Sequence, residues 1–284
     1  MKSTTGAEPP RRYRTQGKTA LLLLPIVVLY GVFFVVPLTG VLLRSFSKEG
    51  VGFTLEHYAS IAEPIYLQAI RNSLLIAAST SIIGVVLGCI FGYFILTTRP
   101  AVQKLLLTLT SIPISLSGIV IAYLFIVTLG SSGVLTLLAA ELFDSNPFAM
   151  SRYLFSWKGV VIAYLFFQIP RMALLMTGAL ANFDRALIDA GKSLGANWWQ
   201  ILWYIVLPAL KPAILAGSAL LFSVSMGAWA TAWALVGVRV NILPLTIYTQ
   251  ISDVSYDIEQ ANALAVALTV VTTVAIYMYR KFLR

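Results

Sequence analysis

Hydrophobic and polar positions along the 284-residue chain fall into long blocks rather than short alternations. Crossing about 30 Å of hydrocarbon takes roughly 20 apolar residues. Six runs reach that length: about Ala20–Leu43, Asn72–Leu96, Leu105–Leu129, Gly159–Ala181, Ala213–Gly237 and Ala261–Tyr279. A backbone in lipid must satisfy its own hydrogen bonds, and none of these runs alternates as a barrel strand would, so the pattern predicts six transmembrane α-helices. Pro25 and Pro37 predict bends in the first. The expected organisation is an all-α integral membrane protein, with a tail over 1–19 and a membrane domain over 20–284.

Composition agrees with a lipid solvent. The chain is 59% hydrophobic and 11% charged, where soluble domains carry about a quarter charged residues. The net charge of +9 is not spread as a nucleic-acid footprint would be; it orients the spans. With the N-terminus inside, the inner segments hold Lys2, Arg11, Arg12, Arg14, Lys18, Arg99, Lys104, Arg185, Lys192, Lys211, Arg280, Lys281 and Arg284. The outer ones hold Arg44, Lys48, Arg71, Arg152, Lys158 and Arg239. Both termini are therefore expected in the cytoplasm. The first run is too long for a signal peptide and shows no small-x-small cleavage site, so it reads as an uncleaved anchor.

Candidate chemistry is sparse. Cys89 has no partner for an intrachain disulfide. His57, near Glu56 and Glu63, reads as a solvated loop residue, and no catalytic or metal-binding constellation emerges. The outer loop through Ser131, Gly133, Asp144 and Pro147 is rich in turn residues, which suggests a broken or re-entrant segment beside it.

The most informative polar stretch is the inner loop of about 182–212. Asn182 or Asp184 can cap a first short helix, on which Leu187, Ala190, Gly191 and Leu194 recur at helical spacing. Gly195 falls where a left-handed residue ends a helix. Asn197 can start a second helix carrying Trp198, Trp199 and Trp203, residues suited to the headgroup level. Pro208 and Pro212 bracket the entry to the fifth span. Small residues at Ala190 and Gly191 would let another backbone approach. Gly191-Lys192-Ser193 and Gly17-Lys18-Thr19 end like phosphate-binding loops, but Ala186 and Arg12 stand where that loop needs its other glycine. No nucleotide-binding motif is left in the chain.

Asp189-Ala190-Gly191, then Gly195, then nine residues to Ile205-Val206-Leu207-Pro208, resembles the signature of permease subunits of bacterial ABC importers. Asp189 stands for the usual Glu, and Gly191 for a second Ala. The resemblance implies that Asp189, Ala190, Gly191, Leu194, Gly195, Leu207 and Pro208 form the coupling segment to a separate ATPase. ATP and magnesium would then sit on that ATPase, and none would be bound by this chain. It further implies two ATPase subunits, a second permease (a heterodimer, with a homodimer as the alternative), a solute-binding protein and a bacterial inner-membrane location. Pro37-Leu38, Arg44-Ser45-Phe46, Phe53-Thr54-Leu55-Glu56-His57-Tyr58 and Asn72-Ser73-Leu74 resemble the polyamine (spermidine/putrescine) branch. That implies a polyamine or a related small charged solute.

Within the spans, Gly84, Gly88 and Gly92 form a small-residue stripe suited to close helix packing. Candidate translocation residues are Gln168, Ser225, Met226, Trp229 and Trp233, with Arg171 and Ser223 nearby. No acidic residue occupies the middle of any span, which counts against the competing reading, an ion-coupled secondary carrier. A membrane scaffold with no solute of its own is a third possibility.

Overall fold

A computed structural model describes residues 16–48, 50, 52–143, 146–252 and 257–282. The predicted 1–19 tail falls almost wholly outside these residues, as does Asp144 of the second outer loop. The described chain is helical apart from one small hairpin. In order it runs α1 (Gln16–Tyr30), a π turn (Gly31–Val35), α2 (Val36–Arg44), β1 (Ser47–Lys48), β2 (Gly52–Phe53), α3 (Glu56–Ser60), α4 (Pro64–Thr97) and α5 (Pro100–Ser115). Then come α6 (Gly118–Leu129), α7 (Val134–Phe143), α8 (Pro147–Leu154), α9 (Trp157–Ala181), α10 (Ala186–Ser193) and α11 (Trp198–Ile201). A second π turn (Leu202–Val206), α12 (Leu207–Gly227), α13 (Trp229–Val236), a 3₁₀ turn (Gly237–Arg239), α14 (Leu243–Ile251) and α15 (Ile258–Phe282) complete it.

Six described helical stretches are long and apolar enough to cross a membrane: Leu23–Arg44, Pro64–Thr97, Gly118–Phe143, Trp157–Ala181, Trp198–Gly227 and Ile258–Met278. Two differ from the runs read in the sequence. The third predicted run, Leu105–Leu129, is broken at Leu116 and Ser117, both extended, which separates α5 from α6. The fifth breaks at Ala228, and the stretch Trp229–Arg239 with Leu243–Ile251 turns through 81°. A sharp bend thus follows the fifth span. Both π turns come just before a proline, Pro37 and Pro208. A proline ring collides with the carbonyl four residues earlier, and a widened turn at that carbonyl gives the ring room. Pro208 and Pro212 therefore sit within a helical path continuous from Trp198 to Gly227, instead of bracketing a start.

The core forms around α9, which packs against α4, α5, α12 and α13. Tyr164, Val160, Ile121 and Leu235 are buried at its centre. The stripe on α4 makes this approach possible: a Cβ at Gly88 would come 2.8 Å from Met172 Cγ and 3.0 Å from the Ile169 carbonyl. One at Gly92 would lie 2.8 Å from the Ala173 carbonyl. The first span is the opposite case, with its most apolar window 0% buried, so its side chains keep their apolar surface for lipid or a neighbouring chain.

Hydrogen bonds hold the end of the molecule where α4 begins. Asn72 Nδ2 donates to the Asn241 carbonyl (2.8 Å), Asn241 Nδ2 to the Ile65 carbonyl (2.7 Å), and Leu243 N–H to Ser73 Oγ (2.8 Å). These tie the bend between α13 and α14 to the start of α4. His57 is buried against α15, its Nδ1 3.2 Å from Gln260 Oε1, and Gln260 Nε2 donates to its carbonyl. It is not the solvated loop residue its neighbours suggest. Phe46 stacks on Tyr58 (4.8 Å) and Phe53 (5.8 Å), and Ser45 Oγ meets the Tyr58 hydroxyl at 2.7 Å. Lys48 pairs with Glu56 at 2.6 Å on the exposed side, holding that carboxyl below its ordinary range.

Candidate functional site

The segment after α9 is built by local rules. Asp184 Oδ1 accepts the Ala186 N–H at 2.9 Å and opens α10; Asn182 instead donates from Nδ2 back to the Gly178 carbonyl. At the far end Ala196 N–H reaches the Gly191 carbonyl (3.0 Å) and Gly195 N–H the Lys192 carbonyl (2.9 Å). That bond pair with Gly195 at φ +79° is a Schellman ending, which needs a residue at ease in the left-handed region. Asn197 and Gln200 then form a reciprocal capping box (2.8 and 2.9 Å) and start α11. The result is an ordered helical hairpin.

Its faces are distinct. Gly191 is buried against this chain's own Ile201 and Ile205; a Cβ there would lie 2.8 Å from Ile205 Cδ1. Its small size therefore closes the hairpin internally. Asp189, Ala190, Leu187, Leu194 and Gly195 are exposed, Leu194 to 88%. Pro208 is exposed and Leu207 half-buried. The surface open to another molecule is thus an apolar patch of Leu187, Ala190 and Leu194 edged by Asp189 and Lys192. Trp198, Trp199, Trp203 and Tyr204 are exposed beside it.

The residues read as a translocation path divide into two groups. Gln168, Ser225 and Met226 are buried. Gln168 Nε2 donates to Ser225 Oγ and to Thr80 Oγ1 (3.2 Å), and Thr80 Oγ1 meets Ser225 Oγ at 2.8 Å. This triad joins α9, α12 and α4, and Thr80 carried no signal of its own in the sequence. Ser223 bonds back to the Ala219 carbonyl within its own helix. Trp229 and Trp233 are partly exposed and both meet Tyr248, at 4.7 Å stacked and 5.8 Å edge-on. The Tyr164 hydroxyl donates to the Ala228 carbonyl, which occupies a backbone acceptor freed by the break.

Membrane-crossing helices gathered on α9, with a helical hairpin beyond its end and a sharp bend after the fifth span, define a multi-pass helical membrane protein. The chain belongs to the binding-protein-dependent transport system inner membrane component family, which its residues 84–284 match. It is a multi-pass inner-membrane permease subunit of a binding-protein-dependent ABC importer.

Among its relatives, the spermidine/putrescine transport system permease protein PotB of Haemophilus influenzae is 28% identical over 261 residues, covering 89% of this chain and 90% of that one. Sulfate permease 2, chloroplastic, of Chlamydomonas reinhardtii is 26% identical over 253 residues, 87% of this chain and 65% of that one. Among solved structures, a bacterial ABC transporter involved in the import of the acidic polysaccharide alginate matches with TM-score 0.75 and 18% identity, over 95% of this chain and 96% of that one. The inward-facing MetNI methionine ABC transporter matches with TM-score 0.59 and 17% identity, over 78% and 98%. At these identities the structural matches speak for the fold alone.

Proposed function

We propose that this chain is one pore half of an ATP-driven importer and takes its power stroke through the hairpin at Asp189–Gly195. The observation that carries this reading is an ordered element with an unpartnered apolar face: Leu187, Ala190 and Leu194 stand exposed on a helix fixed at both ends. Such a face is stable in water only when small or covered, and its rigid base can pass a displacement on to α9 and α12. Asp189 and Lys192 on its border supply charges for a partner's salt bridges. Two ATPase subunits would grip this hairpin and its counterpart on a second permease, a different chain in our reading. Both termini would lie in the cytoplasm, as the Lys and Arg distribution requires. A loaded binding protein would dock outside, ATP would close the ATPases, and hydrolysis would reset the pore.

The solute is a small charged molecule. The relatives' names bring two classes of opposite sign, polyamine and sulfate, and the polyamine reading follows the stretch Arg44–Tyr58. Uptake into vesicles separates this function from an ion-coupled carrier. Uptake here stops when ATP hydrolysis is blocked and continues when ion gradients are collapsed; the opposite pair of results would make the chain a secondary carrier.

A further inference from the structure

Arg171 is a cation within a membrane-spanning helix, and among the described residues no acidic group pairs with it. It lies fourteen residues after Trp157 and ten before Ala181 on α9, about 21 Å and about 15 Å from the helix ends at 1.5 Å per residue. Intramembrane ionisable groups are expensive and usually mark substrate paths, paired with something. No Asp or Glu occurs in α4, α5, α6, α9, α12 or α13. The Phe167 ring, 5.6 Å from the guanidinium carbon, covers one flat face. It leaves the N–H edge unmet, and Nη1 is buried without a hydrogen-bond partner.

The Arg171 side chain lines a cavity of about 250 Å³ where two helix breaks converge. Gly118 opens α6 on one wall, and Ala228 to Thr231 open α13 on another. Neither helix has a side-chain cap at its start. The free N–H groups of a first turn carry a partial positive charge and favour anions. Helix starts alone would make no site, but here they share a cavity with a fixed cation. Gly118 permits the convergence, since a Cβ there would lie 3.2 Å from the Thr231 nitrogen.

We infer that Arg171, with the bare starts of α6 and α13, forms a subsite for an oxyanion, and that the imported solute carries a carboxylate or sulfate-type group. A polyamine would meet like charge here with nothing to neutralise it. Of the residues that resemble the polyamine branch, Ser45, Phe46, Phe53, His57 and Tyr58 pack this strap against itself and α15, and Asn72 and Ser73 bond to the bend between α13 and α14. They build the scaffold, and none of them lines the cavity beside Arg171. That the oxyanion belongs to the imported solute rests on the importer reading; that Arg171 binds one does not.

The test is phenylglyoxal modification of arginine in the wild-type complex purified through this chain, with the Arg171 peptide followed by mass spectrometry. Sodium sulfate, sodium glutamate and putrescine dihydrochloride are added in parallel at matched ionic strength, with exposed Arg152 as internal reference. The inference predicts that sulfate or glutamate slows modification of Arg171, by roughly tenfold at ten times its Kd, while Arg152 is unaffected and putrescine protects nothing. Which anion protects separates sulfate-type from carboxylate recognition. An Arg171 that reacts at one rate in all three solutions overturns the inference. So does one unreactive from the outset, since a neighbouring permease would then supply the counter-charge. Whether an ATPase is present in the same sample is a separate readout, and its absence counts against the importer reading alone.

Discussion

Leu194 and Gly195 sit side by side and fail in different ways when changed. Leu194 is 88% exposed, so Leu194→Asp removes apolar contact area without disturbing a buried neighbour. The expected outcome is at least a roughly tenfold loss of uptake at unchanged membrane level, the size of effect that follows from losing an anchor worth more than about 1.4 kcal/mol. Immunodetection beside transport checks both halves of that statement. Gly195→Val places a β-branched residue at φ +79°, costing about 1–2 kcal/mol in the turn, and should lose uptake by misaiming the hairpin. Much of this was legible in the chain, because Asp184, Gly195 and Asn197 act through bonds to their immediate neighbours. The facing of Gly191 was not, since its contacts with Ile201 and Ile205 depend on how the hairpin folds back. His57 was misleading for a similar reason: its partner Gln260 is 203 residues away.

Helices that pack along their length depend on small residues and shared polar groups. Gly88→Ala should lower the thermal stability of the detergent-solubilised chain by about 1–3 kcal/mol, the cost of overpacking a filled interior. The matching change Gly178→Ala, where nothing lies within 4 Å of an added Cβ, should leave stability unchanged or slightly raised. Equal effects from the two would remove the packing account of the stripe. Gln168→Leu breaks the triad with Thr80 and Ser225 and should cost about 0.6–1.7 kcal/mol, the range for polar bonds between membrane helices; the same melting measurement reads it. At this scale the sequence marked where apolar segments exist and left out where they break. Leu116-Ser117 and Ala228 lie inside runs whose small polar residues, Ser111, Ser115, Ser223 and Ser225 among them, are of the kind membrane helices carry without breaking. The Tyr164 hydroxyl, which meets the carbonyl freed at Ala228, comes from a distant helix.

For the molecule as a whole, the six-span count was visible because bilayer thickness imposes a length that composition alone reveals. The 81° bend after the fifth span was hidden, being held by Asn72, Ser73 and Asn241 across the fold. Hydrogen bonds pin the end where α4 begins, the core gathers on α9, and an exposed hairpin lies beyond the far end of α9. In the proposed reading, a force applied at α10 reaches the breaks around Arg171 through α9 and α12. The measurement closest to that claim is cross-linking from a Leu194→Cys chain in its native membrane, followed by purification and mass spectrometry of what is attached. The account predicts a cross-linked protein carrying a phosphate-binding loop, with a second permease in the same preparation. A chain that purifies alone, with the introduced thiol cross-linked to nothing, would contradict it.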